Sequence, residues 1–459
     1  MGSRQQLGNY SLWMLSWPIF IELFLQFLLG AADTLMVSKI SDDAVAVVGF
    51  SNQLFNALMA LFTTVSSGAG ILIAQRLGAR DRESARTLGV IALKVTALIG
   101  VVISVALIAA PRQIAMLLQL PDRLLPLAEI YISIVGGGMV LTAVMTTLST
   151  SIRNTGNTKA PMYIAVGMNI VHLFLNSSFI FGHFGFPQLG LTGVAISTVT
   201  SRLLATIVLF YIFLSAFHRP IRLPDFKLFD RKLFHEVLKI GWPLGVNMSC
   251  WVFSQLAIFS FLAMLGSAEL TARTYMNTLE SFCFLLGQSI AMGVQIQVAH
   301  LFGAKRTKEA YRSAYRGLYI GLVIVSVNAV IVYFVGDKML GFFTSDPHII
   351  ALGVSLLSLN LLLQPGKMLN MALGNSLSAI GDTRFMMTNS LISMSLIATL
   401  LSYVLGVKLG WGLSCIYSCM IADEYFRGII ALFRWRGRKK LRQAEIGMQQ
   451  AARQAVAAG

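Results

Sequence analysis

The chain has 459 residues, 56% of them hydrophobic and only 12% charged, with a net charge of +16 and a mean hydropathy of +0.72. Soluble domains draw about a quarter of their residues from the charged types, so this composition excludes a water-soluble protein. The positive excess does not point to nucleic acid either, because it is parcelled into alternate loops between apolar stretches.

In chain order, apolar stretches of membrane-spanning length are predicted at 12–38, 44–75, 87–110, 124–150, 160–183, 190–216, 238–265, 269–300, 315–336, 347–377, 385–406 and 411–434. That gives an all-α integral membrane protein of twelve transmembrane helices. Several exceed the roughly 20 residues a bilayer requires, which implies tilt or bending. Pro18 in the first span, Pro243 in the seventh and Pro365 in the tenth are the expected bending points.

Residues 4, 7 and 11 apart return to nearly the same face of a helix. In the first span Glu22, Gln26 and Asp33 share a face, and in the fifth Asn169, His172 and Asn176 do. The second carries Asn52, Asn56 and Thr63, and the eighth Asn277, Glu280 and Gln288. Polar side chains aligned in this way face a bundle interior or a wet cavity, because lipid does not solvate them. Isolated Asn, Gln and Ser positions read as interhelical hydrogen bonds worth about 0.6 kcal/mol each. The carboxylates of Asp33 and Glu22 read as functional, since an ionised group in hydrocarbon costs several kcal/mol and is seldom kept without a task. His172 stands between the two readings. Lys94 is near enough to a span end to snorkel. Lys367, directly after Gln364-Pro365-Gly366, is a candidate cationic element of the second half.

The loops divide by charge. Arg76, Arg80, Arg82 and Arg86 fall in one, Arg153 and Lys159 in another, and Arg219, Arg222, Lys227, Arg231 and Lys232 in a third. Lys305, Arg306, Lys308, Arg312 and Arg316, then Arg434, Arg436, Arg438, Lys439, Lys440 and Arg442, complete the series. The intervening loops hold few, such as Lys39, Arg112 and Lys408. This asymmetry predicts that both termini are cytoplasmic, with the basic loops beside anionic lipid. The four cysteines (Cys250, Cys283, Cys415 and Cys419) lie in apolar spans without metal or disulfide spacing. The N-terminus lacks the short apolar segment and cleavage site of a secretory signal, so the first span is expected to be retained.

An offset of 225 residues holds without a gap: Trp17-Pro18 matches Trp242-Pro243, Asn52 Asn277, Gly68 Gly293, Ile71 Ile296, Ala74 Ala299 and Gly78-Ala79 Gly303-Ala304. Arg80 matches Lys305, Ala85 Ala310, Ser151 Ser376, Gly156 Gly381, Thr158 Thr383, Lys159 Arg384 and Met162 Met387. The chain is therefore read as two homologous six-helix bundles: an N-terminal lobe (1–218), a basic cytoplasmic linker (219–237), a C-terminal lobe (238–434) and a basic cytoplasmic tail (435–459). An even number of spans per repeat makes the repeats parallel, related by a pseudo-two-fold axis along the membrane normal. Asp33 has no acidic copy, because Ile258 stands at the equivalent position.

These features resemble the multidrug and toxic compound extrusion (MATE) family of transporters, specifically its prokaryotic DinF-like branch, over essentially the whole chain. The resemblance is carried by Pro18 and Asp33-Thr34, by Ala74-Gln75-Arg76-Leu77-Gly78-Ala79, by Arg153-Asn154-Thr155-Gly156-Asn157-Thr158-Lys159, and by the helix with Asn169, Leu175-Asn176 and Phe179-Ile180-Phe181-Gly182. Gly303-Ala304 and Gly381-Asp382-Thr383 repeat the pattern in the second half. The resemblance implies an outward-directed antiporter for cationic, amphipathic compounds, driven by proton or sodium entry, in a bacterial or archaeal cell membrane. Asp33 matches the family's first-helix aspartate, the principal candidate for coupling-ion binding. His172 and Asn176 occupy fifth-helix positions where archaeal members have Asn and Asp, so the second acid is absent here. The NorM-like branch places a glutamate in the seventh helix, where this chain has Asn247, Trp251 and Gln255.

The expected site thus consists of Asp33, Asn176, His172 and Glu22 for the coupling ion (a proton, or Na+ at Asp33), with Gln26, Asn52, Asn169, Asn277, Glu280 and Lys367 lining a substrate cavity. Protonation or sodium binding at Asp33 is expected to repack the proline-bearing first helix and release substrate outward. Small molecules, the ion and the bilayer are the expected partners of a monomer, with neither nucleic acid nor cofactor. The alternative is a lipid or lipid-linked oligosaccharide flippase of the same superfamily, which would want a large cationic cavity. An intramembrane enzyme would need a set such as HExxH or GxSxG, and the sequence has none.

Overall fold

The computed structural model describes residues 11–182, 185–227, 229–437 and 445, so the basic run 438–442 of the expected tail falls outside the described residues. Every long described element is a helix. In the first repeat these are α1 (Leu12–Val37), α2 (Asp42–Gly78), α3 (Arg82–Ala109), α4 (Pro111–Leu117), α5 (Leu125–Gly137), α6 (Met139–Asn154), α7 (Lys159–Phe181) and α8 (Gly190–Ser215). The second repeat follows with α9 (Arg231–Leu265), α10 (Ser267–Gly303), α11 (Thr307–Phe343), α12 (Pro347–Ala379), α13 (Thr383–Ser393) and α14 (Gly412–Arg436). α13 runs on as π-helical turns over Met394–Lys408, making one span.

The helix starts and stops have local causes. Asp81 caps α3 by accepting the Ser84 backbone N–H at 3.1 Å, and Asp346 caps α12 by accepting that of His348 at 2.9 Å, with Pro347 at the first helical position. Pro111 separates α4 from α3 in the first repeat, whereas the equivalent Gly336 leaves α11 unbroken. The fourth span is divided at Gly138 into α5 and α6, while its counterpart α12 continues through Pro365. α9 starts at Arg231, so residues 231–237 of the expected linker are helical.

Among the described residues, eleven spans are long and apolar enough to cross a membrane. The twelfth expected helix, α14, has 25 residues but carries Asp423, Glu424 and Arg427 near its middle. Those charges pair locally: Arg427 Nη2 lies 2.5 Å from Asp423 and 2.9 Å from Glu424.

The duplication is visible in the backbone. Arg80 and Lys305, 225 residues apart, both take the left-handed conformation (φ 63° and 62°), and the Asp81 N–H to Arg76 C=O bond repeats as Arg306 to Leu301, each at 2.9 Å. The turns at Gly156 (φ 95°) and Gly381 (φ 80°) also correspond. A Cβ at Gly68 would come within 2.9 Å of the Gly241 Cα, and one at the equivalent Gly293 would run into Ser16 Oγ, the equivalent neighbour.

By internal contacts the chain forms two compact units. The N-terminal unit comprises 21–76 and 81–242, with a core that includes Val37, Val47, Phe55, Phe62, Leu125 and Tyr131. The C-terminal unit comprises 77–80, residues from 243 onward and the first turns of α1, with a core that includes Leu262, Met276, Leu356 and Ile416. Ile258, the counterpart of Asp33, belongs to that second core at 1% exposure.

Candidate functional site

The N-terminal unit gathers Asp33 from α1, His172 and Asn176 from α7 and Ser201 from α8. Asp33 Oδ1 lies 2.8 Å from His172 Nε2 and accepts the Asn176 amide Nδ2 at 2.9 Å. His172 Nδ1 is 3.1 Å from Ser201 Oγ, whose own hydroxyl donates to the Thr198 carbonyl at 3.1 Å. His172 and Asn176 are buried, while a quarter of the Asp33 side chain (25%) remains accessible. The carboxylate thus has a protected face on α7 and an open face from which a small ion can arrive. Asn176 Oδ1 and both amide atoms of Asn169, one turn from His172, are buried without a partner, so the site holds spare hydrogen-bonding capacity.

Arg202 on α8, the residue after Ser201, donates from Nη1 to Thr142 Oγ1 at 3.0 Å and interacts electrostatically with both Asp33 and Tyr131. It lies near the middle of its span, with Thr198 and Thr206 one turn away on either side. A lone Arg deep in an apolar run was the available signal.

Glu22 has a different setting from Asp33. Arg153 Nη2 contacts both Glu22 oxygens, at 2.7 and 2.9 Å, and Glu22 is only 4% exposed. Arg153, counted among the loop cations, instead turns inward from the last turn of α6. Among the other expected lining residues, Gln26, Asn52 and Asn277 are exposed and Asn169 is buried. Lys94 sits 5.5 Å from the Phe229 ring centroid.

Glu280 and Lys367 do meet, in the C-terminal unit. Lys367 Nζ is 3.1 Å from Glu280 Oε2, and Arg273 Nη1 and the Tyr417 hydroxyl both donate to Oε1, the former at 2.9 Å. Further along α14, Asp423 accepts Ser393 Oγ at 2.5 Å as well as Arg427, and Glu424 accepts Asn370 Nδ2 at 2.8 Å. This acidic group borders a small cavity with Trp251, Ser254 and Gln255. Arg273 precedes Glu280 by seven residues and Arg427 follows Asp423 by four, so helical spacing is the sequence signal that marks these pairs.

Outside the spans, the segment after α8 is fastened to the start of α3. Arg86 Nη1 lies 2.5 Å from Asp225 Oδ2 and also pairs with Glu83, while Arg219 Nη2 donates to Glu83 Oε1 at 2.9 Å. The Arg86 guanidinium and then the Arg222 backbone N–H hold the Asp225 carboxyl below the usual carboxylate range.

Comparison with known proteins agrees with this architecture. The MatE family profile matches residues 18–178 and 243–404, once in each repeat. The uncharacterized transporter YisQ of Bacillus subtilis is 35% identical and is matched over 94% of each chain. The probable multidrug resistance protein NorM of Thermotoga maritima is 25% identical over 91% of this chain and 90% of its own. Among solved structures, a MOP superfamily transporter from Pyrococcus furiosus Vc1 superposes with a TM-score of 0.85 at 18% identity, covering 95% of this chain and 96% of that one.

Proposed function

Since the chain belongs to the MATE family of multipass membrane transporters, we propose that it is a cation-coupled antiporter that exports cationic, amphipathic compounds by alternating access. Its likeness to a probable multidrug resistance protein supports the substrate class. The placement of both termini in the cytoplasm rests on the basic loops.

The observation that carries the coupling site is the contact of Asp33 Oδ1 with His172 Nε2 and Asn176 Nδ2. The Ser201 hydroxyl points to the Thr198 carbonyl, so its oxygen is free to accept an Nδ1–H from His172. Two protonation states then fit the distances. With Nε2 bare, it accepts a proton bond from a neutral Asp33 carboxyl. With Nε2 protonated, imidazolium and carboxylate form an ion pair. A proton added to or taken from this pair changes the charge facing the open side of Asp33. Asn176, in place of a second acid, supplies a neutral donor that supports either state.

Loading Asp33 with the ion is read as repacking α1 around Pro18 and releasing substrate outward. Glu22 contributes through its pair with Arg153 instead of standing as a bare relay. Everted membrane vesicles given a pH gradient and a sodium gradient in turn test the proposal: one of the two should drive accumulation of a fluorescent organic cation. Accumulation driven by neither gradient overturns it.

A further inference from the structure

Two cations and one carboxylate meet inside the spans of the C-terminal unit. Glu280 of α10 is bonded by Arg273 at 2.9 Å and Lys367 at 3.1 Å, with Tyr417 of α14 as a third donor. Arg273 and Glu280 have side chains 2% exposed, whereas Lys367 keeps 17% accessible. In their ordinary ionised forms these groups leave a surplus of one positive charge. An uncompensated charge in a low-dielectric interior is costly until a counter-ion completes it.

The hydrogen-bond inventory points the same way. Arg273 Nε and Asn360 Nδ2 are buried donors without an acceptor, and Asn360 Oδ1 is already taken by Gln364 Nε2 at 2.7 Å. Buried polar groups are nearly always paired, so two orphan donors beside a surplus positive charge call for an acceptor that bears negative charge. The acidic group on the same helix cannot serve. Asp423 and Glu424 are engaged by Arg427, Ser393 and Asn370. Asp423 also follows Tyr417 by six residues, about 9 Å of helical rise.

We propose that Arg273, Lys367 and Asn360 form a binding site for a single oxyanion group on a transported amphipath, with Glu280 as the internal counter-ion that occupies it in the group's absence. Lys367 is the member that changes partners. It is the accessible one, it has a flexible four-carbon stem, and it follows Pro365, whose missing N–H leaves the α12 backbone free to adjust. When the oxyanion engages Lys367, Glu280 keeps Arg273 and Tyr417. The carboxylate of a small zwitterion and the phosphate of a lipid headgroup share the required chemistry. The inference rests on the reading of the chain as an exporter of amphipathic compounds and adds an acid group to their description.

The test is equilibrium binding to the purified full chain in nanodiscs of zwitterionic lipid. The probes are a fluorescent amphipathic amine bearing a free carboxylate, its methyl ester, a short-chain phosphatidic acid and the matching diacylglycerol. One of the two acids should bind at least about tenfold tighter than its uncharged partner, a difference of about 1.4 kcal/mol. Preference confined to the carboxylate identifies a small zwitterion, and preference confined to the phosphate identifies a lipid. Lys367→Met should abolish the preference and Lys367→Arg should restore it. Should Lys367→Met not fold, Glu280→Gln gives a second reading, because removing the competitor should tighten acid binding about tenfold and leave the ester unchanged. Equal binding of acids and uncharged partners by the wild type, or a preference that survives Lys367→Met, overturns the proposal. So does a Glu280→Gln variant with unaltered acid affinity. Gradient-driven export by the same preparations separates the two ideas, since acid-selective binding without export refutes only the exporter reading.

Discussion

His172 Nε2 stands 2.8 Å from Asp33 Oδ1 across 139 residues of chain, at a position where the two repeats differ in charge: the copy of Asp33 is the buried Ile258. If coupling runs through this contact, Asp33→Asn should fold and still bind substrate but lose gradient-driven export to the vesicle background. The measurement is efflux under the gradient that drives the wild type. Wild-type, pH-dependent efflux by Asp33→Asn would count decisively against the site.

The imidazole makes a separable contribution. His172→Gln keeps a polar side chain near Asp33 and Ser201 but removes a titrating group. Export should persist, with a pH profile that differs from that of the wild type. A pH profile superimposable on the wild type would leave His172 as a packing residue.

For Glu22 the structure makes a stability prediction. Its carboxylate and Arg153 are both buried and hydrogen-bonded to each other. Glu22→Gln or Arg153→Met alone leaves the partner charge uncompensated and should destabilise the protein by about 3–5 kcal/mol. The double variant should recover most of that loss, as read by thermal unfolding in nanodiscs. If the double variant also keeps coupled export, Glu22 is no part of the ion path.

Asp225 gives a pH prediction outside the spans. Its folded pKa lies below the ordinary value of 3.8, so its ion pair with Arg86 stabilises the docked segment above that value and is lost as pH falls further. Hydrogen exchange over residues 219–227 should therefore stay slow from neutral pH down to about pH 4 and accelerate below it. Arg86→Gln should bring fast exchange already at neutral pH. Equal protection in wild type and variant would show that other contacts hold the segment.

Much of this protein is written locally or at fixed spacing. Span positions follow from hydropathy, so the observed helices begin and end within a few residues of the expected ones, apart from α9 and α11, which extend further beyond their apolar cores. The 225-residue offset is matched in the backbone, where Arg80 and Lys305 share a left-handed conformation. Helical spacing placed His172 and Asn176 on one face, and that face does meet Asp33. Of Glu22 and Gln26, spaced to share a face of α1, one is buried against Arg153 and the other is exposed.

Composition, the apolar periods and the repeat thus determined by themselves that this is a duplicated, multipass helical protein whose first-span carboxylate, Asp33, has no acidic copy in the second half. The pairing of charges between different helices was decided by the tertiary structure alone. Glu22 finds Arg153 at a separation of 131 residues and Glu280 finds Lys367 at 87, each pair on different helices. A helical period fixes which residues share a face but carries no record of the neighbour that face meets. In hydrocarbon, that neighbour decides whether a charge is a silent structural pair or a site open to an ion.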